Sequence, residues 1–181
     1  MNYPEVLLVP AFMLLDYFLT IVGRIQNEKE YGKHFKIESY ELNPSWQADI
    51  ANKHWINRRH LMTVLGMTIF FVFFLELAGT RKSFAEFALG FVLVMYGTVI
   101  GRHLSNIALF TAIARNPQLA SGQVSLKQQY LMINSMWGTL AVLLPLVTLT
   151  LISPSAYLVG GVFGALYLMV IHLVWLQKSA Q

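Results

Sequence analysis

The sequence predicts an all-α fold: a polytopic transmembrane bundle of about five spans, with a long first connection that carries a short interfacial helix. Three observations lead there. Hydrophobic residues make up 56% of the 181 residues and charged residues only 12%, about half of the roughly 25% that solvates the surface of a soluble domain. Five apolar stretches approach the ~20 residues that a helix rising 1.5 Å per residue needs to cross the hydrocarbon core. Most basic residues lie between those stretches rather than inside them.

The chain reads as one membrane domain, residues 1–181, with spans at about 5–23, 61–79, 84–110, 130–152 and 156–177. The first span is interrupted by Asp16. Its start has no Lys or Arg and no small-residue cleavage site follows, so it is expected to be a retained span and not a signal peptide. The second centres on Ile69-Phe70-Phe71-Val72-Phe73-Phe74-Leu75. The third meets Arg102 and His103 and then resumes as Ile107-Ala108-Leu109-Phe110, which predicts a long helix whose far end leaves the hydrocarbon. The fourth and fifth are separated only by Ser153-Pro154-Ser155, a tight turn. Short connections make spans two and three, and spans four and five, antiparallel neighbours.

Orientation follows from Lys and Arg. The connections and tail on one side hold eleven of them and the opposite side only Arg81 and Lys82. The expected arrangement in the cell membrane has the N-terminus outside and the C-terminus in the cytoplasm. Tyr130 and Trp175 then fall at the cytoplasmic interface, and Tyr3 and Tyr157 at the outer one. Ile21-Val22-Gly23-Arg24 and Val99-Ile100-Gly101-Arg102, each followed by an Asn-Pro pair, Asn43-Pro44 and Asn116-Pro117, outline a parallel duplication of a two-helix unit.

Function is expected where polar residues interrupt this pattern. Asp16 stands mid-span, where a carboxylate costs ~2.5–3.5 kcal/mol on insertion scales. Thr20 and Gly23 share its helix face. His103 and Asn106 share a face of the third span, while Arg102 is expected to snorkel to the interface. Asn134 and His172 fall in the inner thirds of their spans. Asp16, Thr20, Glu41, Asn43, His103, Asn106, Asn134 and His172 thus form the candidate cavity and ion-binding set, gathered toward the cytoplasmic half. In the first connection, Asn43 is expected to cap a helix running from Pro44 to about Asn57. Phe35-Lys36-Ile37-Glu38 alternates like a short extended piece. Glu41 is placed to reach back toward a cation or a histidine. Gly97-xxx-Gly101-xxx-Ser105 and Gly160-xxx-Gly164 are the expected close-packing stripes. Pro145 is expected to kink the fourth span and Pro10 to bend the first.

No zinc-protease, nucleophile-elbow or phosphate-loop motif is present. With no cysteine and no closely spaced histidine pair, no metal site is expected, and the sequence leaves any cofactor unknown. The first-span Asp16 followed by Glu41-Leu42-Asn43-Pro44 resembles a group of small prokaryotic integral membrane proteins of unknown function, over Leu14 to about Trp46. The resemblance implies that Asp16, Glu41, Asn43 and Pro44 act as a unit. Three readings follow, in order: a small proton- or cation-linked transporter or channel-like protein, an accessory or scaffold subunit of a larger membrane complex, and a membrane-embedded enzyme acting on a lipid or peptide at the inner leaflet. The expected partners are the lipid bilayer and either further copies in a homo-oligomer or the subunits of such a complex, with no nucleic acid.

Overall fold

A computed structural model describes residues 4–78 and 81–178. Tyr3 and Gly79, used above to place an interface and a span end, lie outside the described residues. A 3-10 turn, Pro4–Leu7, leads into α1 (Leu8–Asn27). The first connection holds α2 (Tyr31–His34), β1 (Phe35–Ile37) and α3 (Gln47–Ala51). Then come α4 (Arg58–Leu77), α5 (Lys82–Arg115), a 3-10 turn (Pro117–Leu119), β2 (Val124–Leu126), α6 (Gln128–Ile152) and α7 (Ala156–Lys178). Five of these helices, the first counted with its 3-10 turn, are long and apolar enough to cross a membrane. The fold is essentially all-α.

The central helix is α5. Its 34 residues extend for roughly 51 Å, well beyond a hydrocarbon core of about 30 Å. It packs against α1 on one side and α7 on the other, and α6 packs on α7. The predicted pairing of the second and third spans is only partial: α4 packs chiefly on α1 and its leading 3-10 turn, and it meets α5 through rings such as Phe74 on Phe84, 5.2 Å between centroids. Away from the first connection, the bundle is filled by an apolar cluster that includes Val6, Val9, Phe71, Leu75, Ala85 and Leu89. The outer face of α4 leaves Met62, Ile69 and Phe73 60–67% exposed, as a lipid-facing surface requires.

Glycines set the closest approach. A Cβ on Gly160 runs into the Phe87 carbonyl and the Phe91 amide, and one on Gly164 into the Phe91 carbonyl. Gly90 answers from α5 by packing on the Tyr157 carbonyl. The other expected stripe does not pack: Gly97 only reaches the Phe12 ring at 4.0 Å, Gly101 has nothing within 4 Å, and Gly101 and Ser105 are exposed. The close approaches to α7 fall at Phe87, Gly90, Phe91 and Val94, earlier along α5. Pro10 falls in the first turn of α1, where its missing N–H costs no helical bond. Pro145 sits inside α6, which stays helical through it.

The two long connections clasp each other. β1 pairs with β2 in parallel, Phe35 opposite Val124 and Ile37 opposite Leu126. Glu38 Oε2 accepts the Gln128 N–H at 3.1 Å, so a residue of the first connection caps the start of α6. His34 Nδ1 donates to the Gly122 carbonyl at 3.0 Å. The extended piece at Phe35–Ile37 was expected; its partner strand was not. Asn43-Pro44 follows β1 whereas Asn116-Pro117 precedes β2, so the two Asn-Pro pairs occupy different places in the outlined duplication.

The interfacial helix is shorter than expected. α3 spans Gln47–Ala51, not 44–57, and its cap position is Trp46, without a side-chain hydrogen bond. Asn43 Oδ1 instead accepts the Ser45 N–H at 3.0 Å, a local turn that competes with helix initiation at Pro44. Lys53 ends the segment with φ 54°, the left-handed conformation of a helix stop, and its amine pairs with Glu28. Ile50 of α3 is buried against Tyr17 and Ile21, and Tyr17 donates to the His54 carbonyl at 2.7 Å. The connection is thereby pinned down onto α1.

Candidate functional site

Beneath this clasp lies a cavity of about 740 Å³, lined by α1, α4, α5, α6, α7 and the first connection. Its size falls in the range of ordinary ligand sites, about 300–1,000 Å³. All eight of the singled-out residues, Asp16, Thr20, Glu41, Asn43, His103, Asn106, Asn134 and His172, line it.

The centre of the polar wall is a contact between α1 and α5. His103 Nε2 lies 3.2 Å from Asp16 Oδ1 and 3.1 Å from Thr20 Oγ1. The single hydroxyl proton of Thr20 is already donated to the Asp16 carbonyl, one turn back, at 2.8 Å. Thr20 can therefore only accept from the ring, and Nε2 carries the hydrogen. That leaves Nδ1 as the bare nitrogen of the neutral ring. It is buried and makes no hydrogen bond. Asp16 is eleven residues from the end of α1, roughly 16 Å along the helix, which sets the pair near mid-span.

Among the described residues, Glu41 makes no direct ion pair or hydrogen bond with a cation or a histidine, although it lies within electrostatic reach of Arg102. Its Oε1 accepts the Asn43 N–H at 2.6 Å. Burial pushes its carboxyl up to about 7; the Asn43 hydrogen bond and Arg102 oppose the rise, and the Asp16 charge adds to it. Burial also raises the neighbouring Tyr40 phenol, with Glu41 contributing. The Tyr40 hydroxyl packs on Gly23 and faces the Asn106 amide and Arg102 without completing a well-formed hydrogen bond. His172 is buried and fully engaged: Nε2 meets Ser135 Oγ at 3.0 Å, and Nδ1 donates to the Leu168 carbonyl at 2.5 Å. Asn134 sits at the cavity margin and is exposed.

Several lining residues escaped the sequence reading. Arg102 does not snorkel away: it lines the cavity with Nη1 buried and without a partner. Tyr17, Trp46 and His60 form one aromatic corner, with Tyr17 stacked on His60 at 4.3 Å and Trp46 edge-on to both at 5.5–6.5 Å. Trp175 lines the wall beside His172. Among the described residues, seven buried side-chain polar atoms lack a hydrogen-bond partner, and all but the Arg24 Nε belong to cavity-lining residues: Asp16, Asn27, Tyr40, His60, Arg102 and His103. Arg24 Nε is held in an ion pair with Glu28. Native proteins satisfy nearly all buried polar groups, so their concentration here marks a place built to meet something polar. No group of three or more His, Cys, Asp or Glu able to hold a metal ion occurs among the described residues.

Comparison of the chain with protein-family models, with curated proteins and with solved structures finds no match.

Proposed function

We propose that this protein is a small transporter whose cavity opens toward the cytoplasm and whose Asp16–His103 pair couples solute movement to a proton. The N-terminus is outside and the C-terminus inside in this reading, as the eleven-to-two division of basic residues favours. The observation that carries it is the position of the pair. A carboxylate and a histidine 3.2 Å apart stand at the deep wall of a cavity that every long helix lines. Beyond them the bundle is sealed by apolar side chains. Ionisable groups are expensive at such depth and mark proton relays and substrate paths. A site reached from one side and closed on the other is one half of an alternating-access cycle.

Reconstitution into proteoliposomes loaded with a pH-sensitive dye tests the reading. An imposed pH gradient is expected to collapse faster with wild-type protein than with empty vesicles, and Asp16→Asn is expected to remove the difference. Equal proton movement in wild-type and Asp16→Asn vesicles removes the pair from the mechanism.

A further inference from the structure

The five long helices pack in the order α4, α1, α5, α7, α6, each on its neighbours. The two outer helices have no extended packing on each other. Both nevertheless line the cavity, α4 through His60 and Thr63, and α6 through Leu131, Asn134 and Ser135. The row is therefore curved, the cavity occupies its concave side, and a gap separates α4 from α6. Thr63 and Asn134, on opposite rims, are exposed as well as cavity-lining. They lie five and six residues into their helices, roughly 8–9 Å along each axis. At that depth the gap faces lipid at the boundary of headgroups and acyl chains. The surfaces beside it are apolar, with Met62 67% and Trp137 60% exposed.

Behind the gap stands Arg102. Its Nη1 is buried without a hydrogen-bond partner, and the guanidinium lies within electrostatic reach of the Asp16 and Glu41 carboxyls and the Tyr40 hydroxyl without forming an ion pair with any of them among the described residues. Asp16 lies against His103, although its Oδ1 completes no hydrogen bond. Glu41 is held by the Asn43 N–H, and its carboxyl, titrating at about 7, is neutral for part of the time at physiological pH. A buried cation whose donors meet no hydrogen-bonded counter-ion remains costly. A guanidinium meets phosphate or carboxylate oxygens with two parallel hydrogen bonds. The Tyr40 hydroxyl, also without a partner, is within electrostatic reach of Arg102 and adds a donor. Leu109 and Leu131 supply apolar wall nearby.

We propose that the cavity takes an anionic amphiphile from the surrounding leaflet, a phosphate- or carboxylate-headed lipid whose head is held by Arg102 and whose acyl chain leaves between α4 and α6. This names the cargo class of the site proposed above, and it rests on that reading only in treating the cavity as a ligand site.

Four tryptophans make the test direct. Trp46 and Trp175 line the cavity, and Trp55 and Trp137 do not. The full chain carrying Trp55→Phe and Trp137→Phe reports on the cavity alone. It is reconstituted in phosphatidylcholine vesicles containing a small fraction of brominated lipid, either phosphatidic acid or phosphatidylcholine. The expected result is quenching about tenfold more effective for the anionic lipid, the worth of one charge-assisted contact. Arg102→Gln abolishes that preference, Arg102→Lys keeps part of it, and inorganic phosphate does not displace the lipid. Equal quenching by both lipids overturns the proposal. So does a preference that survives Arg102→Gln, which assigns it to the basic connection, and so does a preference lost to inorganic phosphate, which assigns the site to a free anion. If Arg102→Gln fails to fold, the wild-type preference and Arg102→Lys still decide. Closure of the gap by a second copy gives a cross-linked dimer without anionic quenching and also overturns it. Lipid preference without proton movement retires only the transport reading; proton movement without lipid preference retires only this one.

Discussion

Replacing Gly160 by alanine adds one methyl group where α7 meets α5, and the structure fixes what that methyl meets. The Cβ lands on the Phe87 carbonyl and the Phe91 amide. Both are backbone atoms of a helix, so neither yields by a rotamer change. The helices must separate along their central contact, and overpacking of this kind costs typically 1–3 kcal/mol. Against this stands the gain of an alanine over a glycine in a helix, about 1 kcal/mol. The net expectation is a loss of up to about 2 kcal/mol for Gly160→Ala, with Gly164→Ala similar because its Cβ meets the Phe91 carbonyl. Gly101→Ala supplies the internal control. It meets nothing within 4 Å, so only the propensity gain remains, and the variant is expected to match or exceed wild-type stability. Equilibrium unfolding in mixed detergent micelles, followed by far-UV circular dichroism, reads the difference between the two classes. Equal stability of Gly160→Ala and Gly101→Ala refutes the assignment of the close contact to α5 and α7.

Other outcomes follow from the connection and the cavity. The Glu41 carboxyl is raised in the folded protein from 4.5 to about 7, so the folded state holds a proton that the unfolded chain has released. Stability should therefore fall as pH rises from about 4.5 to about 7 and stay lowered above that. Glu41→Gln, which keeps an acceptor for the Asn43 N–H, should flatten this slope and stabilise the protein at pH 8 by an amount of order 1–3 kcal/mol, checked by thermal unfolding at several pH values. Glu38→Ala removes the acceptor at the Gln128 N–H and should cost about 1 kcal/mol, seen as faster hydrogen exchange at the start of α6. Tyr17→Phe removes the bond to the His54 carbonyl at a cost of about 1 kcal/mol and should make the segment around α3 more sensitive to limited proteolysis.

How much of this was legible beforehand depended on contrast. Asp16, His103, Asn134 and His172 stand out because each interrupts an apolar run, and a side chain that costs kcal/mol in lipid has to face the bundle interior. Arg102, Trp46 and Trp175 carry the opposite ambiguity. Cations and indoles near span ends have an ordinary interfacial role, so nothing local distinguishes a wall residue from an anchor. Tyr40 and His60 lie at or outside span ends and become cavity residues only because the connection folds back. β2 is three residues long, too short for a periodic signal, and its pairing depends on a partner some ninety residues away. Small-residue spacing found two packing surfaces but not which was used. Gly160 and Gly164 are buried in contact while Gly101 is exposed, because close approach is confined to one stretch of α5, which spacing along one chain does not encode.

The absence of native cysteine allows the central claim, a water-accessible polar cavity within the membrane on the side of the long connection, to be tested one thiol at a time. Asn106→Cys and Asn134→Cys place thiols on the cavity wall, and Leu104→Cys and Ile133→Cys place them on surfaces that do not line it. Only a hydrated thiol ionises and reacts with a charged, membrane-impermeant methanethiosulfonate. The account predicts labelling of the two asparagine positions from the connection side alone, at rates at least about tenfold above their neighbours. Equal rates within each pair, or labelling from the opposite side, contradict it.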